Sequence, residues 1–476
     1  MRKVKLFTYL GLLSFILFFT ACSRSTFYDP RHMEDLNRML YVLENNFALF
    51  DVAHWARGVD IYAIVENVRE TLHTTPYMSD NDFFHVLRYA FDPLVGIGHF
   101  QIISRGYYDY MVRGEGRLTR RWWYSDEAHM RLRAPHVLDF YAQLEAESLA
   151  FGEWMEAFPV EFSRMSSTLI EQLRVRGETT LADDFAQAIA LGNETEVGNL
   201  WMEAVRATEN NVTTRILEEG RIAYLAIDSF MRYPIPPEEE RQILNFYEEI
   251  AGFDHLIIDL RFNGGGMENW FFRTVLEPNI DREFVLEQFF FLSYGEYAAH
   301  YTGGRRGNTG GRRIVDRAQA LENHRPVAEI LATYPLPDLH LPDMARMDYG
   351  FRAFTTVRPR AYAPHFSYEP SFAGEIWLLT GPITGSAAQI SAWATRETGF
   401  ATIVGEISGG NFGGERTLTA LPNTGIAFIL DLNYVTDSRG RPLEAGTIPD
   451  IFNHEGKTAL ETVLAVIHAD NKTQVE

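Results

Sequence analysis

The chain has 476 residues, of which 46% are apolar and 22% charged, a globular balance that excludes disorder and fibrous repeats. Such a length exceeds one ordinary core, so two or three domains are expected. A net charge of -21 denies the protein the positive field that nucleic-acid binding needs; no nucleic-acid partner is expected, and the charge reads as solubility.

In chain order, a targeting signal comes first. Arg2, Lys3 and Lys5 precede an apolar run from Leu6 to Thr20, shorter than a membrane-spanning helix. The run ends in Phe19-Thr20-Ala21-Cys22, and Cys22 is the only cysteine. Small residues before a lone cysteine resemble a bacterial lipobox, although Phe19 stands where leucine is usual. The expectation is a signal peptide over 1–21, a lipid on Cys22 and a tether to residue 31. The protein would then be an exported lipoprotein held at a membrane, facing the periplasm or the cell exterior. The alternative is an ordinary cleaved signal peptide with an incidental cysteine. With no second cysteine, neither an internal disulfide nor a thiolate metal site can form.

Residues 32–104 read as a helical domain. Met33, Leu36, Leu40, Leu43 and Phe47 draw one apolar helix face. Asp60 is placed to cap a helix burying Ile61, Ile64, Val65, Val68 and Leu72, and Ser79 with Asp82 to open a third that Asp92-Pro93 ends. Residues 105–134, rich in Tyr, Trp and Arg, carry no assignable pattern, and 136–218 read as a second helical block. From residue 219 to 465 strands alternate with helices, which predicts an α/β layered core. Strands are expected at Ile222–Ile227, His255–Leu260, Gly374–Thr380, Ala401–Val404 and Ile426–Leu430. Helices are expected after Pro236-Pro237 and after Ser386. A long insertion, 270–372, interrupts this core. Its arginine-rich loop from Thr302 to Arg313 reads as solvated, or as a lid that captures a carboxylate.

Two segments carry chemistry. In the first, the apolar strand ending at Asp259 runs through Leu260-Arg261-Phe262-Asn263 into Gly264-Gly265-Gly266. Glycines let backbone N–H groups approach a ligand oxygen, as an oxyanion site requires, although a tight turn needs no more than this. In the second, Thr380-Gly381-Pro382-Ile383-Thr384-Gly385-Ser386-Ala387, a strand ends in a Gly/Pro turn and Ser386 opens a helix. A serine there is either a plain N-cap or a nucleophile at the positive end of a helix, with the Ala387 amide beside it.

Four blocks, GRIAYLAIDSF (220–230), HLIIDLRFNGGG (255–266), TGPITGSAAQISAWATRETGFATIVGE (380–406) and GRPLEAGTIPDI (440–451), together resemble the tail-specific, or C-terminal processing, serine peptidases and the tricorn protease core. The resemblance implies a layered α/β fold of the crotonase/ClpP type. It also implies a peptide or unfolded-protein substrate, no cofactor and no metal. Ser386 would be the nucleophile, with oxyanion donors at Gly264, Gly265 and Ala387. One branch of the family uses a lysine base 25 residues after the serine. Here that position is Asn411, whose amide cannot take a proton, so a lysine dyad is not expected. The tricorn-like branch uses a histidine in an L-x-D-x-H-T pattern, matched here by Leu94-Val95-Gly96-Ile97-Gly98-His99-Phe100 with Ile97 and Phe100 as departures. It also places a glutamate at the position of Glu444, to orient the base or its serine partner; a solvated loop carboxylate is the plain alternative. His99, Ser386 and Glu444 are thus the expected catalytic set. A non-catalytic peptide- or apolar-ligand-binding relative and a crotonase-like acyl-thioester enzyme are the competing readings. No peptide-C-terminus-binding module of the PDZ kind is evident between 100 and 218.

Overall fold

A computed structural model describes residues 29–109, 112, 130–144, 159–207, 210–232, 234–293, 295–297, 324–359, 371–410 and 416–474. The Cys22 and Asn411 positions and the loop Thr302 to Arg313 lie outside them. No helix among the described residues is long and apolar enough to cross a membrane.

The N-terminal helices are α1 (Pro30–Asn46), α2 (Phe50–Arg57), α3 (Ile61–Thr74) and α4 (Asp80–Ala90). Their caps follow the sequence signals. Asp60 accepts the Ala63 N–H at the start of α3, and Ser79 and Asp82 form a reciprocal capping box at the start of α4. The short strand β1 (Gln101–Ile102) and α5 (Pro135–Gln143) follow. The helical block comprises α6 (Pro159–Arg176), α7 (Thr179–Leu191) and α8 (Glu194–Ala207). It does not reach residue 218 as expected. Residues Val212–Glu218 form a strand, β2, because a partly buried run of Val, Ile and Thr fits the pleated edge of a sheet.

After β2 come β3 (Ile222–Ile227), α9 (Pro237–Glu249), β4 (His255–Asp259), β5 (Phe284–Leu292), β6 (Arg325–Pro326), β7 (Tyr349–Val357) and β8 (Glu375–Thr380). The chain ends with α10 (Ala387–Thr398), β9 (Thr402–Gly405), β10 (Arg416–Ala420), β11 (Ala427–Asp431), β12 (Asn433–Thr436), β13 (Ile451–Phe452) and α11 (Ala459–Gln474). Six strands make the central sheet in the order β13-β9-β8-β4-β3-β2; all neighbours are parallel except β2, which closes the edge antiparallel to β3.

Side-chain alternation along these strands builds two apolar layers. Leu225, Ile258 and Leu378 pack against α9 and α10 on one face. Tyr224, Ile257 and Leu379 pack against Val463 and Ile467 of α11 on the other. The parallel strands therefore all deliver their carboxyl ends to one rim, and Ser386 emerges there.

The N-terminal helices are not a separate unit. They share one core with β11 and with β5 and β12: Leu43, Phe47, Phe100, Phe428, Leu430, Phe291 and Tyr434 belong to a single buried cluster. The insertion contributes β5, β6 and β7, which pair with β12 in a four-stranded sheet, while β1 pairs with β11 in a three-stranded one. These pairings seat the loop after α4 over the rim of the central sheet.

Two ion pairs hold α6 against that sheet, Arg176 with Asp228 after β3 and Glu171 with Arg261 after β4. Burial is the largest influence on Asp228 and outweighs Arg176, raising its pKa from 3.8 to about 6. A raised carboxyl pKa means that the fold prefers the protonated acid. This stabilising contribution is full below about pH 4 and is lost as the pH rises through about 6. An Asp228→Asn variant should accordingly show a flatter dependence of melting temperature on pH between 4 and 7 than the wild type. Parallel slopes in the two proteins would show that Asp228 does not titrate this way.

Candidate active site

Ser386 stands between the end of β8 and the first residue of α10. Among the described residues it is one of two non-glycine residues with positive φ, at 52°. Such a backbone costs energy for a residue with a Cβ and persists only where the surroundings hold it. Three contacts hold it here. The Ser386 N–H donates to the Gly410 carbonyl at 2.9 Å, the Ser386 carbonyl accepts from Ile390 at 3.0 Å, and the Gly385 N–H donates to the Asn263 carbonyl at 3.1 Å. The hydroxyl makes no capping bond to α10. It turns instead to His99, with Ser386 Oγ 3.4 Å from Nε2. An N-cap serine would spend its hydroxyl on the helix; this one does not.

His99 lies on the loop between α4 and β1. Its ring is 14% exposed and Asp431, at the end of β11, is fully buried. The Asp431 carboxylate accepts the His99 backbone N–H at 2.8 Å and lies 3.0 and 3.1 Å from Nδ1. With Nδ1–H donated to Asp431, Nε2 is left as the acceptor facing the serine hydroxyl. Ile97 and Phe100, which depart from the family pattern around the histidine, are both buried. Phe100 packs between Phe47 and Phe91, so its aromatic ring serves the N-terminal core.

Glu444 is buried too, at 1% exposure, but its role differs from the expected one. Its carboxylate accepts the Gly98 N–H at 2.9 Å and so anchors the histidine loop by its backbone. Both ring nitrogens of His99 are engaged elsewhere, Nδ1 by Asp431 and Nε2 by Ser386. The orienting position expected for Glu444 therefore belongs to Asp431. The reason is strand pairing. β11 lies antiparallel to β1, with Ile429 opposite Gln101, which brings the end of β11 to the histidine loop. Asp431 was absent from the expected set, although a charge closing the apolar run Ala427–Leu430 was a usable signal for a buried, partnered carboxylate.

The glycine turn packs directly on the serine. A Cβ at Gly265, φ +100°, would lie 2.6 Å from Ser386 Cβ and 2.8 Å from the Ala387 nitrogen. Its amide is not free, however, because Gly265 N–H donates to the buried Asn263 Oδ1 at 2.8 Å. That is a side-chain turn two residues long, which the order Asn-Gly-Gly favours. The expected assignment of Gly265 as an oxyanion donor is corrected accordingly for this conformation. Among the described residues, the amides of Ala387 and the exposed Gly264 donate to nothing.

A cation braces the same ground. Arg57, at the end of α2, donates to the carbonyls of Gly409 and Glu444, the latter at 3.4 Å. The loop whose Gly410 carbonyl accepts the serine amide is thereby tied to the N-terminal helices. Asp29, His32 and Asp80 form a group with metal-ligand spacing at the starts of α1 and α4. Arg31 already bridges both of its carboxylates, so it reads as an ion-pair cluster.

The chain is similar to known peptidases. Residues 221–452 match the model of peptidase family S41. No curated protein matches the sequence. Among solved structures, a candidate peptidase of Parabacteroides merdae is 14% identical with a TM-score of 0.47, covering 91% of this chain and 96% of its own. Mature CPAF complexed with lactacystin is also 14% identical with a TM-score of 0.47, covering 89% of this chain and 93% of its own. The photosystem II D1 C-terminal processing protease is 17% identical with a TM-score of 0.31, covering 54% of this chain and 53% of its own.

The histidine loop offers a direct check of this geometry. A Cβ at Gly98, φ +52°, would lie 2.3 Å from Asp431 Oδ2, the oxygen that accepts the His99 N–H, and 2.7 Å from Leu49 Cδ1. At Gly58, φ +70°, a Cβ would meet nothing within 4 Å. Gly58→Ala should therefore cost only the left-handed backbone term, about 1–2 kcal/mol. Gly98→Ala should cost clearly more, read as a larger fall in melting temperature. Equal losses would mean that the loop is not packed as described.

Proposed function

We propose, from the match of residues 221–452 to the model of peptidase family S41, that this protein is a serine peptidase that hydrolyses peptide bonds through an acyl-enzyme on Ser386. The observation that carries the reading is the Ser386–His99–Asp431 chain of contacts, with a serine hydroxyl that has been withdrawn from helix capping.

The roles follow from the geometry. His99 Nε2 accepts the hydroxyl proton as Ser386 Oγ attacks the carbonyl carbon. The buried Asp431 carboxylate holds the ring and stabilises the imidazolium that forms. The Ala387 N–H, at the first turn of α10, meets the developing oxyanion, with Gly264 as the neighbouring donor. His99 then returns the proton to the leaving amine, and water deacylates the serine with His99 again as base. A histidine in the base position, rather than a lysine, supports reading the protein with the tricorn-like branch. The contact of 3.4 Å is long for a committed hydrogen bond, as is common before substrate closes a site. A peptide-binding protein without catalysis is the second reading; the Gly265 amide, engaged by Asn263, is the observation that favours it.

We place the enzyme outside the cytoplasm, anchored through a lipid on Cys22, on the strength of the basic start, the short apolar run and the lone cysteine. Growth with labelled palmitate should then mark the wild type. A Cys22→Ser form should carry no label and should leave the membrane fraction; label on that form would exclude the anchor.

A fluorophosphonate should label Ser386 in the wild type and fail to label His99→Ala. Asp431→Asn should keep the fold and lose about 10²–10⁴-fold in rate, the usual worth of an oriented general base. A folded wild-type protein that takes no label would overturn the peptidase reading. Full activity in Asp431→Asn would remove Asp431 alone from the mechanism.

A further inference from the structure

A cavity of about 710 Å³ lies at the carboxyl ends of the central strands. Its walls include Phe262, between β4 and the glycine turn, and Pro382 and Ile383, between β8 and Ser386. Glu406, after β9, and Glu171, on α6, complete the part that matters here. Open α/β sheets bind ligands at this rim.

Its position ties it to the reacting centre. Phe262 precedes Gly265 by three residues and Ile383 precedes Ser386 by three, a reach of at most about 11 Å along the chain. An extended peptide advances about 3.3 Å per residue, so a side chain two or three residues from the scissile bond falls within that reach.

Its charge defines what it takes. The buried Arg261 guanidinium is spent on Asp259, with Nη2 2.7 Å from Oδ2, and on Glu171. One cation thus serves two carboxylates, of which Glu171 lines the cavity, and Glu406 is the second acidic group of the wall. Burial is the largest influence on Glu171 and raises its pKa; Asp259 and Glu406 raise it further, and Arg261 and Arg174 together only partly oppose them. Lys457 also lines the cavity; it and Glu406 are both exposed and screened alike by solvent, whereas Glu171 is partly buried, so its charge is the less screened. The apolar residues lie on the chain segments nearest the nucleophile. A long aliphatic stem with a cationic head matches that division.

We propose that this cavity is a substrate subsite for a lysine or arginine side chain two or three residues from the scissile bond. Phe262, Pro382 and Ile383 cover the stem, and Glu171 and Glu406 meet the charge. The assignment rests on Ser386 being a peptidase nucleophile.

The test is a peptide library read by mass spectrometry, followed by kcat/KM on matched peptides with Lys, Leu or Glu at the selected position. Fluorophosphonate labelling of Ser386 is measured in parallel on every variant. The wild type should favour Lys over Leu by about tenfold or more. Glu171→Gln and Glu406→Gln should each erode that ratio, mainly through KM. Glu171 also holds Arg261, so the decisive variant is Glu406→Lys, at an exposed position. It should move the preference towards Glu, read as kcat/KM on the matched Lys and Glu peptides. Labelling with no basic preference, or a preference that Glu406→Lys leaves unmoved, overturns the subsite and leaves the peptidase reading standing. A wild type that takes no label overturns both.

Discussion

The site depends on how one buried carboxylate is satisfied. Asp431 has no exposure, and an ionised acid in that position needs donors at close range. It finds them in the His99 backbone N–H and the imidazole Nδ1, while its own carbonyl accepts the Ala48 N–H. A single residue at the end of β11 thus fixes the ring, the loop that carries it and the turn between α1 and α2. Losing either contact to His99 would leave a buried charge short of donors, so the N-terminal helices and the strand are bound to one arrangement.

The nucleophile is held from the opposite side. Parallel pairing of β4 with β8 sets the glycine turn beside the chain that enters α10. Gly265 then fits against Ser386 only because it lacks a Cβ. The positive φ of Ser386 is kept by amide and carbonyl bonds to Gly410 and Ile390, and the Gly410 loop is braced in turn by Arg57. Strain at this residue aims the hydroxyl away from the helix and towards the histidine. The half of the site built on the central sheet meets the half built on the N-terminal helices along this line. A shared apolar core, from Leu43 to Tyr434, prevents the two halves from drifting apart.

The helical block contributes at the same rim. Glu171 and Arg176 of α6 reach the residues that follow β4 and β3, and both acidic partners are desolvated enough to carry raised pKa values. These ion pairs are poor evidence for added stability, because desolvation offsets their attraction. Their value is in placement: they bring α6 over the chain that leads to the glycine turn and make it a wall of the cavity there.

Local chemistry in the sequence determined a good deal by itself. Periodicity and caps drew α1, α3, α4 and α9, because helix faces and first turns are written in nearest neighbours. The buried parallel strands could be read as unbroken apolar runs, and the Gly/Pro punctuation marked the turns at Gly264 and Ser386. Three matters were settled only by tertiary structure. Asp431, not Glu444, took the ring of His99, since the choice rests on the pairing of β1 with β11 across more than three hundred residues. The Asn263 side chain that takes the Gly265 amide is itself fixed across the sheet, where its Nδ2 donates to the Ile227 carbonyl at 2.9 Å. Val212–Glu218 became a strand rather than the tail of a helical block, since the edge of β3 offered it a partner. Spacing along a chain states which groups are present and how they begin to fold. Which donor each buried acceptor finds is decided by segments far apart in sequence, once they pack.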